Sequence, residues 1–332
     1  MKLKYSLPKM PLPQPPRRSP LSHSTTTPLL PPSSWDSHMH IVDPPTYPLS
    51  PTALYTPQPH LLPSYLSFTS TLSNPPPKPV LIQPSIYGTD NSCLLSALHT
   101  LNGPRGGARG VVCFDPATTS AETLEGWHAL GVRGVRVNLV SVGREVGGEE
   151  LRGEVGGYVQ KVGGLGRGNG NGKGRGWVVQ LYVDMSVLDG LVGVDLGDDT
   201  GGVRICLDHF GKPTLPPLSA TDTDTFDPYS LPGFSTLVTM LRGGRTYVKF
   251  SAPYRISDDP EFRLLGVIAR ELIRVAPGRV VFATDWPHTR FEGVDVGPFV
   301  RKCVEWCDGD EGMVERLFRR NAEELWDVDV GE

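Results

Sequence analysis

Eight short apolar runs, set well apart, restrict the possible folds of this chain more than any other feature. They lie at 34–42, 80–84, 110–114, 132–138, 177–183, 203–208, 246–250 and 279–283. Most are rich in Val, Ile, Leu and Phe without clean alternation, as strands buried on both faces of a parallel sheet are. Segments with apolar residues at three- and four-residue spacing lie between several of them, clearest at 121–130, 260–275 and 313–325, and read as amphipathic helices. Eight strands alternating with helices predict an α/β fold: a single-domain (β/α)8 TIM-like barrel over 34–328. The rival is an open doubly wound sheet. The count of eight and the lack of a G-x-G-x-x-G after the first run weigh against it.

Two stretches fall outside that pattern. Residues 1–35 hold nine prolines and no Asp or Glu, so 1–33 reads as a disordered or targeting tail. Its basic, acid-free composition suits a mitochondrial transit peptide, while its proline density opposes the amphipathic helix such a peptide needs. Cytoplasmic residence is the expectation, with mitochondrial as the alternative. Residues 143–176 are dense in glycine, which makes ordering costly. They read as a helix of undefined length followed by a flexible insertion.

The formal net charge of −4 leaves no electrostatic footprint for nucleic acid. No apolar run reaches the length of a membrane span. The five cysteines form no CxxC, and Cys113 and Cys206 lie inside apolar runs. That usage fits a reducing compartment better than a disulfide scaffold. The sequence gives no indication of oligomeric state.

In a barrel of this kind the active site forms at the C-terminal ends of the strands. The runs end in His38-Met39-His40, Gln83-Pro84-Ser85, Asp115-Pro116, Arg136-Val137-Asn138, Gln180 with Tyr182, Asp208-His209, Lys249 through Ser251 to Tyr254-Arg255, and Asp285. The period of two points His38 and His40 to the same side. Pro287 cannot extend a ladder, so the last strand stops near Asp285. Asp285 then either caps the next turn or is a catalytic carboxylate. Titratable residues collect at one end of nearly every strand, where a merely structural chain would scatter them.

The blocks DSHMHIVDP, QPSIYGTDN, GVRGVRVN, CLDHFGKP and FATDWPH occur in that order. Together they resemble the amidohydrolase-related branch of the amidohydrolase superfamily, nearest to its 2-pyrone-4,6-dicarboxylate lactonases. The resemblance spans roughly 34–326. It implies a barrel that hydrolyses small ester, lactone or amide bonds, or in some branches decarboxylates. It implies Asp285 as general base, with His38, His40 and His209 as inward catalytic histidines. By the same resemblance Arg136, Arg255, Tyr254, Ser85, Tyr182 and, more loosely, Tyr47 contact the substrate. The lactonases carry a further arginine where this chain has Ser141 and Val142, and Arg144 is the nearest arginine.

Hydrolysing a lactone at neutral pH needs a base for the water and donors for the developing oxyanion. The expected function is hydrolysis of a small carboxylate-bearing lactone. In it Asp285 activates water, the histidines donate to the carbonyl oxygen, and arginine forks hold the carboxylate. No cofactor is expected. The alternative is a metal-dependent amidohydrolase or decarboxylase with one divalent ion such as zinc at His38, His40 and Asp285. An inactive barrel used as a binding protein is the alternative from another class.

Overall fold

The computed structural model describes residues 28–102, 107–165, 176–197, 202–217 and 223–326. Its strands are β1 (Trp35–Met39), β2 (Lys78–Ile82), β3 (Arg109–Val112), β4 (Val132–Asn138), β5 (Val178–Tyr182), β6 (Arg204–Leu207), β7 (Thr246–Phe250) and β8 (Val280–Phe282). They pair in sequence order as one parallel eight-stranded sheet. His40 N–H donates to Trp286 O at 2.8 Å and Asp285 N–H to His38 O at 2.9 Å, which joins the last strand to the first. The fold is the predicted (β/α)8 barrel.

Helices α1 (Leu62–Ser70), α2 (Ser92–Leu101), α3 (Ala121–Ala129), α4 (Gly148–Val162), α5 (Phe234–Arg242), α6 (Arg263–Val275) and α7 (Gly297–Glu305) surround the sheet. The final predicted helix consists of α8 (Glu311–Glu315) and α9 (Asn321–Leu325), joined by a π-helical turn, Arg316–Arg320. Between β5 and β6 the crossover is a 3₁₀ segment, Met185–Leu191, rather than an α-helix. None of the helices is long and apolar enough to cross a membrane, among the described residues.

Helix α4 occupies part of the glycine-dense stretch. Leu151, Val155, Val159 and Val162 form its buried stripe at helical spacing. At its start Gly148 meets Gly190 of the 3₁₀ segment so closely that a Cβ on Gly190 would lie 2.1 Å from Gly148 O. Residues 166–175, where the flexible insertion was expected, lie outside the described residues. The expected tail packs on the barrel by its C-terminal end: Leu30 is buried, and the N–H groups of Leu29 and Leu30 both reach Leu72 O. Residues 1–27 lie outside the described set.

The barrel interior has two tiers. The lower is apolar: Trp35, Val80, Ile82, Val111, Val178, Cys206, Tyr247 and Val281, plugged from below by Ala322, Leu325 and Trp326. The upper is polar, and Lys249 stands where the two meet, its Nζ 5.5 Å from the Trp326 ring centroid. Pairing of β1 with β2 shifts register between Asp36 and Met39. Below the shift Trp35 joins the lower tier, and Ser37 Oγ accepts from Trp326 Nε1 at 3.2 Å. Above it His38 and His40 face inward, which unbroken alternation from Trp35 would forbid. Asp36 points the other way and clamps the seam. It accepts from Thr284 N–H at 2.8 Å, from the Thr284 hydroxyl at 2.6 Å and from the Tyr65 hydroxyl at 3.2 Å. Burial, only partly offset by these bonds, raises its pKa to about 6.

Candidate active site

Asp285 stands just beyond β8 with a backbone φ of +62°. That conformation, uncommon outside glycine, turns the carboxylate in over the barrel axis. Asp285 is not a cap. Its Oδ2 accepts from the Tyr254 hydroxyl at 2.6 Å and from Arg255 Nε at 2.8 Å. Its Oδ1 faces the Nε2 atoms of His38, His40 and His209 at 3.5, 3.9 and 3.9 Å. Burial would raise the Asp285 pKa, but Arg255 and the three imidazoles outweigh it and hold the carboxyl well below its usual range. Burial also lowers His40 and His209 to about 4 and holds His38 well below its usual value, so all three rings are neutral at neutral pH.

Ring partners fix what each imidazole can do. His40 Nδ1 lies 2.7 Å from Ile82 O, a pure acceptor, so Nδ1 carries the proton and Nε2 presents a lone pair. His40 therefore does not donate to a substrate carbonyl, contrary to the expectation for all three histidines. His38 Nε2 lies 3.2 Å from His40 Nε2, and His38 Nδ1 lies 3.3 Å from Lys249 Nζ and 3.3 Å from Asp208 Oδ1. Lys249 Nζ can only donate to His38 Nδ1 and Asp208 Oδ1 can only accept from it, so the His38 proton sits on Nε2, toward His40, when Lys249 holds Nδ1, and on Nδ1 when Asp208 does. His209 Nδ1 meets the Ser251 hydroxyl at 2.8 Å. When that hydroxyl donates, His209 Nε2–H is turned to the cavity.

Asp208 lies beneath this cluster. Burial opposes its ionisation, but Lys249, His38 and Arg136 hold its pKa well below the usual range. Lys249 Nζ sits 3.3 Å from Oδ1, while Arg136 and Gln180 reach Oδ2 at 3.3 and 3.1 Å. Arg136 also donates to Gln83 O at 3.0 Å, and its buried Nε–H has no partner among the described residues.

One cavity at the mouth is lined by Asp285, His40, His209, Arg136, Arg255, Ser85 and Tyr182, with Tyr55, Ser141, Thr289 and Arg290. Tyr182 packs edge-on against His209, ring centroids 4.8 Å apart. His38 lies behind this lining, fully buried. Two expected substrate contacts bond Asp285, although Arg255 still lines the cavity, and a third lies outside the lining. Tyr254 bonds Asp285. Arg255 spends Nε on Asp285 and NH2 on Thr289 O. Tyr47 packs on the outer core, and Tyr55 lines the cavity instead. Arg144 pairs with Glu150 and Glu154 at 2.7 and 2.8 Å and lines a separate cavity, so it does not replace the shifted arginine. Sequence reading missed Tyr55 and Arg290. The signal for Arg290 was its place in the loop that follows Asp285, and Tyr55 was hidden in a proline-rich segment.

A family model described as "Amidohydrolase" matches residues 35–328. The chain belongs to the amidohydrolase family. It is accordingly a hydrolase. It is 30% identical to a 4-sulfomuconolactone hydrolase of Hydrogenophaga intermedia, over 79% of this chain and 77% of that one. It is 26% identical to a 2-pyrone-4,6-dicarboxylate hydrolase of Comamonas testosteroni, over 78% of each. Among solved structures, a candidate 2-pyrone-4,6-dicarboxylic acid hydrolase from Pseudomonas putida superposes with TM-score 0.67 at 26% identity, covering 90% of this chain and 98% of that one. A Burkholderia multivorans amidohydrolase with bound zinc shares the fold, with TM-score 0.63 at 18% identity and coverage of 89% and 99%.

The donor atoms of His38, His40 and Asp285 lie within 4.8 Å of one another, as do those of His38, Asp208 and His209. The first set fits a divalent ion when His38 carries its proton on Nδ1, toward Asp208 Oδ1, because the Nε2 lone pairs of His38 and His40 and the unclamped Asp285 Oδ1 then converge, and three protein ligands is the number at catalytic zinc.

Proposed function

We propose that the chain opens a small lactone or cyclic ester bearing a carboxylate, with Asp285 as the base for the attacking water. The divided Asp285 carboxylate carries this reading: Oδ2 is clamped by Tyr254 and Arg255, while Oδ1 is turned toward the cavity. Water at Oδ1 gives up its proton there, and the hydroxide adds to the carbonyl carbon. His209 Nε2–H and the Ser85 hydroxyl are the candidate donors to the oxyanion, and Arg136 Nε–H is left for the ligand's carboxylate. The ring C–O bond then breaks, and the proton returns from Asp285 to the leaving oxygen. The names of the two curated relatives support the lactone class. The five cysteines are unpaired, which supports a reducing compartment such as the cytoplasm.

On this reading no ion is required. Lys249 and Arg136 already bring two cations to the cluster, and β5 offers Gln180 and Tyr182 rather than a further metal ligand. A metal-assisted second reading is favoured by one observation: a carboxylate held as low as Asp285 is a weak base. A divalent ion at His38, His40 and Asp285 would supply Lewis acidity and a more acidic water.

A screen of carboxylate-bearing lactones, read by proton release before and after chelation and with elemental analysis, tests both readings. The expected result is turnover that survives chelation. Stoichiometric zinc, with activity lost on chelation and restored by metal, selects the second reading. No turnover of any lactone rejects both.

A further inference from the structure

We propose that Arg290, stacked on Tyr55, forms an anion subsite at the cavity mouth that selects ligands carrying a second acidic group. This rests on the hydrolytic reading for the substrate's lactone ring, but the subsite itself stands on geometry. Three guanidinium groups line the cavity. Arg255 is matched by Asp285 at 2.8 Å and Arg136 by Asp208 at 3.3 Å. Arg290 forms no ion pair with a carboxylate among the described residues; only its backbone N–H meets Glu292, at 3.3 Å. Its guanidinium carbon lies 4.4 Å from the Tyr55 ring centroid. Stacking occupies the planar face and leaves the N–H edge available to a carboxylate or sulfonate.

The cavity thus has two matched arginines, of which Arg136, at depth, keeps a buried N–H unpartnered, and one unmatched arginine at the rim. A ligand with a single acid satisfies the deeper group. A second acid, across the ring, meets Arg290. The cation lies on the loop after β8, in the chain segment that also carries Asp285, so the ring is held by the same loop that supplies the base.

Equilibrium binding tests this with two unreactive probes, pyridine-2,4-dicarboxylate and pyridine-2-carboxylate, measured by calorimetry. The wild-type chain is expected to prefer the dicarboxylate by at least about tenfold, the scale of one charge-assisted contact. Arg290→Gln is expected to abolish most of that preference. Arg290→Lys, which keeps the charge but loses the stacked fork, should retain only part, and Tyr55→Ala should weaken it. A wild-type chain with no preference, or an Arg290→Gln chain that keeps it, overturns the subsite. Lactone turnover with a preference that ignores Arg290 defeats the subsite alone. An Arg290-dependent preference with no lactone opened defeats the hydrolytic reading alone.

Discussion

The two tiers of the barrel interior are filled on opposite principles. The lower tier, from Trp35 to Trp326, contains no ionised side chain. It is held by area and shape, and any residue of similar volume and polarity would serve. The upper tier holds Asp208, Asp285, Arg136, Lys249 and three histidines, nearly all removed from water. Burying such groups is costly unless each charge meets another, so in the upper tier each carboxylate is set against cations and exchanging one member leaves its partner charge unmatched. One half of the barrel stabilises the fold, and the other spends stability on chemistry.

That contrast predicts which substitutions separate activity from stability. The largest effect on turnover is expected from Asp285→Asn, which removes the basic oxygen and should lower kcat by at least about 10²-fold. A folded variant with wild-type turnover, measured on whichever lactone the screen identifies, would break the division of roles. Trp326→Ala should do the reverse. It empties the plug and should cost about 3–5 kcal/mol in denaturant unfolding, with kcat per folded molecule nearly kept. A large loss of kcat in folded Trp326→Ala would mean that the tiers are coupled through Lys249. Leu30→Ala, at the packed end of the N-terminal segment, should cost about 2 kcal/mol, the low end for a buried leucine. No loss of melting temperature would return residues 28–33 to the tail. The smallest effect belongs to Arg144→Ala, which breaks a half-exposed pair worth under about 1 kcal/mol and should leave kcat/KM unchanged. A marked rise in KM would restore Arg144 to the substrate site.

The difference between the tiers also explains what could be read from the sequence. Strands β4 and β7 coincide with their apolar runs, because burial on both faces writes itself directly into composition. Asp285, His38, His40, His209, Arg136, Ser85 and Tyr182 were legible because strand ends converge in a barrel. Pairings were not legible. Nothing local says that Arg255 and Tyr254 bond Asp285, since that depends on how the loops after β7 and β8 meet. The tautomer of His40 is set by Ile82 O, a backbone atom 42 positions away. Helix α4 was obscured because glycine dominates its composition, although its Leu151–Val155–Val159 stripe is regular. Tyr55 is not legible because a proline-rich segment offers no periodicity to count, and Tyr47 rests on the resemblance alone.

The seam at Asp36 and Thr284 joins residues 248 positions apart. His38 and His40 of the candidate site lie at one extreme of the folded segment and its carboxylate lies at the other. During synthesis the chain emerges with His38 and His40 already made, yet nothing for them to face. Their partner leaves the ribosome only when nearly all of the barrel has been translated. Loop closure over so long a span comes late in folding, after the local βα units have formed. On the proposed role of Asp285 an incomplete chain is hydrolytically silent, and the step that seals the barrel is the same step that brings Asp285 to His38 and His40.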